Sequence, residues 1–283
     1  DAGCNIIFAT SFGFEDYVKE VASEYPDIQF CHATGYQAAD SGLDNFHNYF
    51  ASIYEGRYLA GIAAGMKTES NKLGYVAAFP FAEVISGYTA FYLGAKSVNP
   101  DVTMDIMYTN SWNDPTVESQ VAQALIDRGC DVISQHSDST APATTAEDNG
   151  VWQVGYNNDM IEAAPHASLI SPRIDWGIYV TEAVQDVIDG KEIPVDWCRG
   201  LEDGAVYLSP LNTDIAAEGT QEAIDEAKEK LISGEIHVFD GPLKGVSPDG
   251  EEYEVPEGEY YHEQEESSAP SWLYIIDGCN VVE

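Results

Sequence analysis

The sequence predicts an α/β fold in which parallel sheets are flanked by helices. The prediction rests on the stretch from Thr103 to Met160, where three apolar strand patterns alternate with two helical patterns. Such alternation is typical of βαβ units, which place their strands in parallel. Each strand pattern ends in polar and aromatic residues rather than in bare turn formers. Ligands of such sheets bind at the carboxyl ends of the strands, so we expect the functional site there.

The elements of this stretch have recognisable ends. Asp114 before Pro115 is a helix-capping start signal, and Gly129 ends the same helix. The predicted elements are, in order, strand 103–108, helix 117–128, strand 131–134, helix 143–149 and strand 151–155.

The rest of the chain continues this alternation on both sides. Apolar residues that recur on one face indicate helices, and short apolar runs indicate strands. Phe46–Lys67 is rich in aromatic and small residues, and we predict one long helix there that packs closely on a sheet. The other predicted elements are strands 6–10, 29–32, 72–78, 167–171, 197–212 and 235–240, helices 17–23, 83–98, 174–189 and 220–233, and a hairpin after residue 241.

The 283 residues allow one large or two medium domains, and the pattern favours two α/β lobes. A polar break at Thr68–Asn71 predicts the first crossover, with returns near residues 172 and 194. The N-terminal lobe would then comprise residues 1–70 and 172–193, and the C-terminal lobe residues 71–171 and 194–283. Because a parallel sheet rarely starts without a lead-in, we expect the first part of the N-terminal lobe to be absent from this sequence.

The chain is strongly acidic. Its 49 Asp and Glu residues outnumber 12 Lys and Arg residues, which gives a formal net charge of −37. Such a field repels phosphate backbones and anionic lipid heads, which argues against nucleic acid or a membrane surface as a partner. It also disfavours a strongly anionic ligand, so a neutral or cationic small molecule fits better. No apolar run approaches the length of a membrane span.

Sequence motifs for catalysis or metal binding are missing. There is no P-loop, no GxSxG pattern and no CxxC spacing among the five cysteines. The six histidines have no i,i+4 pairing, and the acidic tail over residues 251–266 has no EF-hand ligand order. We therefore expect no enzyme, no cofactor and no metal.

Six segments of the chain carry a resemblance to a known family: residues 55–65, 72–76, 99–101, 111–115, 127–133 and 155–159. In their order and spacing, over a match that spans residues 3–212, they resemble the basic membrane protein (BMP) family. Family members are substrate-binding lipoproteins of ABC importers for purine nucleosides and related compounds, with the two-lobe type I periplasmic-binding-protein fold. The resemblance implies an extracytoplasmic monomer, lipid-anchored to the cell membrane and partnered by an ABC permease. It also implies that the absent start carries the lipid-bearing cysteine and part of the ligand site.

The resemblance implies ligand contacts at three positions. Trp112 matches the aromatic residue that stacks on the purine. Asp16 matches an acid near the sugar, and Asp159 matches the acid that reads the edge of the base.

Two positions depart from the family pattern. Asp138 stands where nucleoside binders have a glycine, and Pro172-Arg173 replaces the Lys-Arg pair that supplies the family's ligand lysine. The segments at residues 135–139 and 45–50 resemble the branch associated with free adenine. Adenine is therefore favoured over nucleosides.

The chemistry of the candidate residues suits a purine, which is flat, nearly neutral and carries donors and acceptors on its edge. Trp112 follows a strand, where its ring can reach a ligand, although a core role is the alternative. Asp138 and Asp159 can each accept from an exocyclic amine or cap a helix. His136 can donate to a ring nitrogen or serve the structure alone.

Three further aromatic residues are candidates for the site. Phe12 and Phe14 follow the first strand and can supply the opposite face of the ligand, although one of them is expected in the core. Trp176 follows the predicted second crossover, where it can line either the hinge or the pocket. The sequence leaves these alternatives open.

The predicted function is an extracytoplasmic substrate-binding protein that holds a purine in the cleft between two lobes and delivers it to an ABC importer. Two other classes stay open. A nucleoside-processing hydrolase or phosphorylase needs a metal-binding acid cluster or a phosphate site, and the sequence contains neither. A ligand-sensing regulatory domain of the same fold needs a DNA-binding element, and none accompanies it.

Overall fold

The computed structural model describes residues 3–283, so Asp1 and Ala2 of the predicted abrupt start lie outside the described residues. Strands and helices alternate through most of the described chain. The strands are β1 (Ile6–Ala9), β2 (Gln29–Ala33), β3 (Phe46–Ala51), β4 (Lys72–Ala77), β5 (Thr103–Tyr108), β6 (Val132–Gln135), β7 (Trp152–Val154), β8 (Pro172–Ile174), β9 (Asp196–Arg199), β10 (Val206–Leu208), β11 (Leu243–Val246), β12 (Glu252–Val255), β13 (Ile275–Ile276) and β14 (Cys279–Val281). The α-helices are α1 (Glu15–Glu24), α2 (Ala38–Ser41), α3 (Ile53–Lys67), α4 (Ala82–Val98), α5 (Pro115–Asp127), α6 (Ala141–Asn149), α7 (Trp176–Asp189) and α8 (Thr220–Ser233).

The described chain divides into two compact units. Unit 1 runs to Ser52 and adds Ile174–Val206 and Gln264–Pro270. Unit 2 comprises Ile53–Arg173, Tyr207–Glu263 and Ser271–Glu283. The first boundary therefore falls at residues 52 and 53 rather than near residue 70, because helix α3 packs on helix α4 of unit 2. The segment after residue 193 stays in unit 1 because strand β9 pairs with strand β3.

Unit 1 is built on a four-stranded parallel sheet in the order β1-β2-β3-β9. Strand β3 lies inside the sheet, and all six of its residues are buried. A strand that is buried on both faces reads as a continuous run without the period-2 alternation that identifies half-buried strands. The prediction of one helix over Phe46–Lys67 is therefore wrong. Its first part is strand β3, and helix α3 begins only at Ile53.

Unit 2 is built on a five-stranded parallel sheet in the order β14-β5-β4-β6-β7. Strand β4 lies at its centre, and five of its six residues are buried. The carboxyl ends of β4, β5, β6 and β7 meet at one edge of this sheet, which is where the side chains of the site are found. Strand β5 has the predicted bounds, and the neighbouring predicted strands and helices are found within a few residues.

Helices α3 and α4 of unit 2 pack against each other unusually closely. A Cβ atom at Gly61 would collide with the carbonyl oxygen of Phe91, and one at Gly94 would collide with that of Tyr58. The small residues predicted to allow helix–sheet packing therefore serve a helix–helix contact. This contact fixes α3, and with it Arg57, relative to the first turn of α4.

The later part of unit 2 follows the sequence prediction only in part. Helix α8 has the predicted bounds, and the predicted hairpin is formed by β11 and β12, which pair in antiparallel orientation. The strands expected at 167–171 and 235–240 are not formed; only single bridges, Gln153 to Ser168 and Asp240 to Tyr260, occur there. Among the described residues, no helix combines the length and apolar character that a bilayer span requires.

Candidate ligand-binding site

An aromatic group lies beyond the carboxyl ends of the central strands of unit 2. Phe79 and Phe81 follow β4, and their rings stack with centroids 5.2 Å apart. The indole of Trp112, which follows β5, lies 5.3 Å from the ring of Phe79 and 6.4 Å from that of Phe81. His136, which follows β6, lies 6.3 Å from Trp112 and 4.6 Å from the ring of Tyr156 beyond β7. Four neighbouring strand ends thus contribute rings to one group.

The turn that carries Trp112 is fixed by local hydrogen bonds. The hydroxyl of Thr109 donates to the carbonyl of Ser111 at 2.7 Å, and Asn110 adopts a left-handed conformation with φ of 55°. Asp114 accepts from the backbone N–H groups of Thr116 and Val117, which confirms its predicted role as the cap of α5. The Trp112 side chain is half-buried, and its indole N–H donates to no other described residue.

A buried carboxylate ties this turn to the next one. Glu118 is fully buried, and its Oε1 accepts from the backbone N–H of Asp114 at 2.9 Å. Its Oε2 accepts from the hydroxyl and the backbone N–H of Ser139. The backbone N–H of Asp138 also donates to the carbonyl of Trp112 at 2.8 Å. These bonds hold Trp112 and Asp138 in a fixed relation.

Asp138 carries a carboxylate without an internal partner. Its side chain is exposed, and it accepts no hydrogen bond from another described residue. Partial desolvation raises the pKa of Asp138, and the neighbouring Glu118 raises it further. A carboxylate of this kind is available to accept hydrogen bonds from a bound molecule.

His136 lies beneath the aromatic surface. It is 1% exposed, and its Nε2 lies 3.3 Å from Oε1 of Glu83. Burial lowers the pKa of His136 well below its ordinary value, and the guanidinium of Arg57 lowers it further. The ring is therefore neutral at physiological pH and carries a single N–H.

Asp159 is placed away from these contacts. Its side chain is exposed, and its Oδ1 accepts from the backbone N–H of Ile161 at 3.0 Å. This is a local turn bond rather than the helix cap predicted as the alternative, because no helix follows Asp159 before α7 among the described residues. The role of Asp159 in reading the base edge stays a prediction.

In unit 1, Phe12 and Phe14 lie between β1 and α1, and Asp16 lies in the first turn of α1. The ring of Phe12 stacks on that of Tyr36, with centroids 6.0 Å apart. Phe14 is 59% exposed, so it is not a core residue. Asp16 is exposed and accepts from the side-chain amide of Gln37 at 2.7 Å.

Between these residues lies an acid that sequence reasoning did not single out. Glu15 is 2% exposed, and its Oε1 accepts from the backbone N–H groups of Tyr36 and Gln37, both at 2.8 Å. The side-chain amide of Asn48 donates to the same oxygen at 3.0 Å. Glu15 therefore fixes the loop after β2 to the first turn of α1, and its hydrogen-bonding capacity is used inside the protein.

Trp176 forms a separate aromatic stack in unit 1. It is half-buried at the start of α7, where its ring stacks on Phe50 at 6.1 Å and meets Tyr49 edge-on at 5.7 Å. Asp175 caps the helix by accepting from the backbone N–H of Gly177 at 2.9 Å. These contacts are of the packing type, and a ligand contact at Trp176 stays a prediction.

The structure brings together Trp112, His136 and Asp138, and it adds residues that the sequence reasoning missed. The additions are Phe79, Phe81, Glu83 and Arg57. The signal that could have found the first three is the aromatic and acidic sequence after β4, at a third strand end of the same sheet. In the described part of the chain, no three His, Cys, Asp or Glu residues are grouped so as to hold a metal ion.

Comparison with known proteins gives a family match over most of the chain. The family described as Bmp, ABC transporter substrate-binding protein PnrA-like, matches residues 1–240. A purine-binding protein of Brucella abortus is 39% identical over 254 residues, which cover 89% of this chain and 70% of that protein. A Haloferax volcanii protein, provisionally named the ABC transporter glucose-binding protein TsgA13, is 38% identical over 268 residues, which cover 94% of this chain and 66% of that protein.

Solved structures give the same fold. An ABC transporter solute-binding protein from Conexibacter woesei superposes with a TM-score of 0.67 at 20% identity, covering 83% of this chain and 79% of that one. At this identity the likeness establishes the fold alone. It confirms the predicted periplasmic-binding-protein fold with helices around parallel sheets.

Proposed function

Because this chain belongs to the Bmp family of PnrA-like ABC transporter substrate-binding proteins, we propose that it binds a purine and that adenine is its preferred ligand. In this proposal it acts outside the cytoplasm, anchored by lipid to the cell membrane, and delivers the purine to an ABC permease as a monomer. It performs no chemistry on its ligand. The Brucella abortus relative, named as a purine-binding protein, supports the ligand class.

The observation that carries the proposal is the aromatic group of unit 2 with its unused polar atoms. Phe79, Phe81 and Trp112 offer apolar faces on which a flat base can stack, and each base stack contributes about 1–3 kcal/mol. The indole N–H of Trp112 and the carboxylate of Asp138 have no partner among the described residues. A purine edge carries the donors and acceptors that would pair with both.

Free adenine is favoured over a nucleoside by two residues. Asp138 places an acceptor where a donor such as an exocyclic amine can meet it, and it stands in place of the glycine expected in nucleoside binders. The Arg173 side chain, which follows the position of the missing lysine, donates to the carbonyl of Asn157 at 2.9 Å and lies over the ring of Tyr207. Direct ligand contacts by Asp159, His136, Asp16, Phe12, Phe14 and Trp176 are part of the same proposal.

A second candidate ligand is a sugar, favoured by the name of the Haloferax volcanii relative. Aromatic faces and carboxylates also suit sugar hydroxyls, so the residues of unit 2 alone do not separate the two classes. What separates them is affinity, because a base stacks on the ring faces, whereas a sugar depends more on hydrogen bonds.

A calorimetric screen tests the function directly. Adenine, hypoxanthine, adenosine, inosine and glucose are titrated into the protein, and adenine is expected to bind most tightly. Glucose binding in the absence of any purine binding would overturn the purine proposal in favour of the sugar. Incubation with adenosine and inosine, followed by chromatography for free base, is expected to show no turnover.

Replacement of Asp138 tests the preference for a base. Asp138→Gly is expected to weaken adenine binding by about 10- to 100-fold, since one charge-assisted hydrogen bond contributes roughly 1.5–3 kcal/mol, while inosine binding is spared or improved. Isothermal titration of both ligands measures the difference. An equal loss for adenine and inosine would contradict the assignment of a free base.

A further inference from the structure

Glu83 contacts the aromatic group of unit 2 through the ring of His136. It lies in the first turn of α4, two residues after Phe81, and its side chain is 14% exposed. Its Oε1 is engaged with His136 Nε2 at 3.3 Å. Its Oε2 has no hydrogen-bond partner among the described residues. One oxygen is therefore held by His136, and the other is available to accept a hydrogen bond from a bound molecule.

Arg57 lies next to His136, the partner of Glu83, and bears on the protonation state of its ring. A Cβ atom at Gly87 would lie 3.0 Å from His136 Nδ1 and 3.3 Å from Arg57 Nε, so both nitrogens converge on the same point of α4. The Arg57 guanidinium also lies 3.7 Å above the ring of Tyr156 and donates to the carbonyl of Gln135 at 2.7 Å. Burial lowers the pKa of His136, and this positive charge lowers it further, so a second proton is excluded from the ring. The single ring proton is then available for a hydrogen bond with Glu83.

We propose that Glu83 is a specificity-determining residue of this site, which selects purines that carry an exocyclic amino group over purines that carry an oxo group. The proposal rests on the proposed function and names the feature of the base that is read. A carboxylate accepts hydrogen bonds from an amino group and repels a carbonyl oxygen, whereas a neutral carboxyl group can also donate to that oxygen. The selection therefore depends on the charge of Glu83.

That charge changes near neutral pH. Desolvation raises the pKa of Glu83 to about 7, opposed by Arg57 and reinforced by Asp138. Below this pH the carboxyl group is a donor and an acceptor, and above it only an acceptor. The titratable or charged groups that face Glu83 are Arg57 on α3, Tyr75 on β4, His136 and Asp138 after β6, and Tyr156 after β7. Of these, His136 and both tyrosines stay neutral near pH 7, because burial lowers the pKa of His136 and raises those of the tyrosines.

The test compares adenine with hypoxanthine by calorimetry at about pH 6 and about pH 8, where the net charge of Glu83 differs. For the unmodified protein, the preference for adenine is expected to increase about tenfold between these values, as one hydrogen bond of about 1.4 kcal/mol is gained or lost. In Glu83→Gln, the preference is expected to be smaller and independent of pH. The matched control is Glu147→Gln, which alters a surface Glu–His pair, His166 Nδ1 to Glu147 Oε1 at 3.1 Å, and should leave both affinities unchanged.

The outcomes separate this inference from the proposed function. If neither purine binds the unmodified protein at either pH, the purine function itself fails. If both bind, but with a preference that pH does not alter, Glu83 does not read the base. An equal loss of both ligands in Glu83→Gln would make Glu83 a positioning residue, and thermal unfolding of the variant checks that it is folded. The pH series on the unmodified protein does not depend on the variant.

Discussion

The strand ends of the two units carry similar residue types but use them differently. In unit 1, Glu15 is buried, and its carboxylate is consumed by the backbone of Tyr36 and Gln37 and by Asn48. In unit 2, Asp138 and one oxygen of Glu83 have no partner in the described part of the chain. Satisfied buried polar groups stabilise a fold, whereas groups left without partners beside exposed rings are available to a ligand. The acid of unit 1 therefore serves loop stability, and the acids of unit 2 are those that we propose for ligand choice.

The largest expected effect is on stability, from the acid of unit 1. Glu15→Ala is expected to lower the free energy of unfolding by roughly 3 kcal/mol or more, because three donors lose their buried acceptor and a hydrogen bond to a charged group contributes about 1.5–3 kcal/mol. Urea denaturation followed by circular dichroism measures the loss. Its neighbour Asp16 is exposed, and Asp16→Ala should cost less than about 1 kcal/mol. Similar losses in both variants would remove the contrast between the buried and the exposed acid.

The next effect is on affinity, from the aromatic group of unit 2. Trp112→Ala is expected to weaken purine binding by about 10- to 100-fold, since it removes one stacking face. Isothermal titration with adenine measures this loss. Trp152→Ala is the control, because that indole lies at the start of β7, at the other end of the sheet, beside the ammonium group of Lys67 at 4.3 Å. Unchanged affinity in Trp112→Ala would exclude this residue from the site.

The smallest expected effect is a pH dependence of stability, which comes from His32 in unit 1. Burial lowers the pKa of His32 in unit 1, an effect that outweighs the opposing charge of Glu15. The unfolded chain then binds a proton that the folded chain does not, so the contribution of His32 to stability is present above its unfolded pKa of about 6.5 and is lost as the pH falls below it.

The stability advantage of the unmodified protein over His32→Gln should therefore be smaller at pH 5.5 than at pH 7.5. Urea denaturation at the two pH values measures the change, and His166→Gln, which alters a largely exposed side chain, serves as control. A constant difference between the two proteins would show that His32 is not held neutral in the fold.

Local patterns were sufficient where an element has its own start and stop signals. Helix α8 is charged and amphipathic and ends at Gly234, and its predicted and observed bounds agree. Strand β5 also agrees, and so does the cap formed by Asp114. In each case the information lies within the element, because periodicity and capping depend on residues a few positions apart.

Local patterns failed where the environment decides the conformation. Strand β3 and helix α3 are separated by a single residue and are both rich in aromatic residues, and only pairing with β2 and β9 makes the first part a strand. The expected strands at 167–171 and 235–240 have apolar residues but no sheet partner beyond single bridges. A strand exists only when another strand completes its hydrogen bonds, which a local pattern does not contain.

The sequence by itself determined the alternation of strands and helices, the family, and the edge of the sheet that carries the candidate residues. Tertiary structure alone decided which of those side chains form hydrogen bonds within the protein and which keep a polar atom available to a ligand. The bonds of Glu15 reach residues more than twenty positions away, and the contact of His136 with Glu83 spans 53 positions. Adjacent acids such as Glu15 and Asp16 look alike in the sequence, and they differ because hydrogen-bond partners are supplied by the fold rather than by neighbours along the chain.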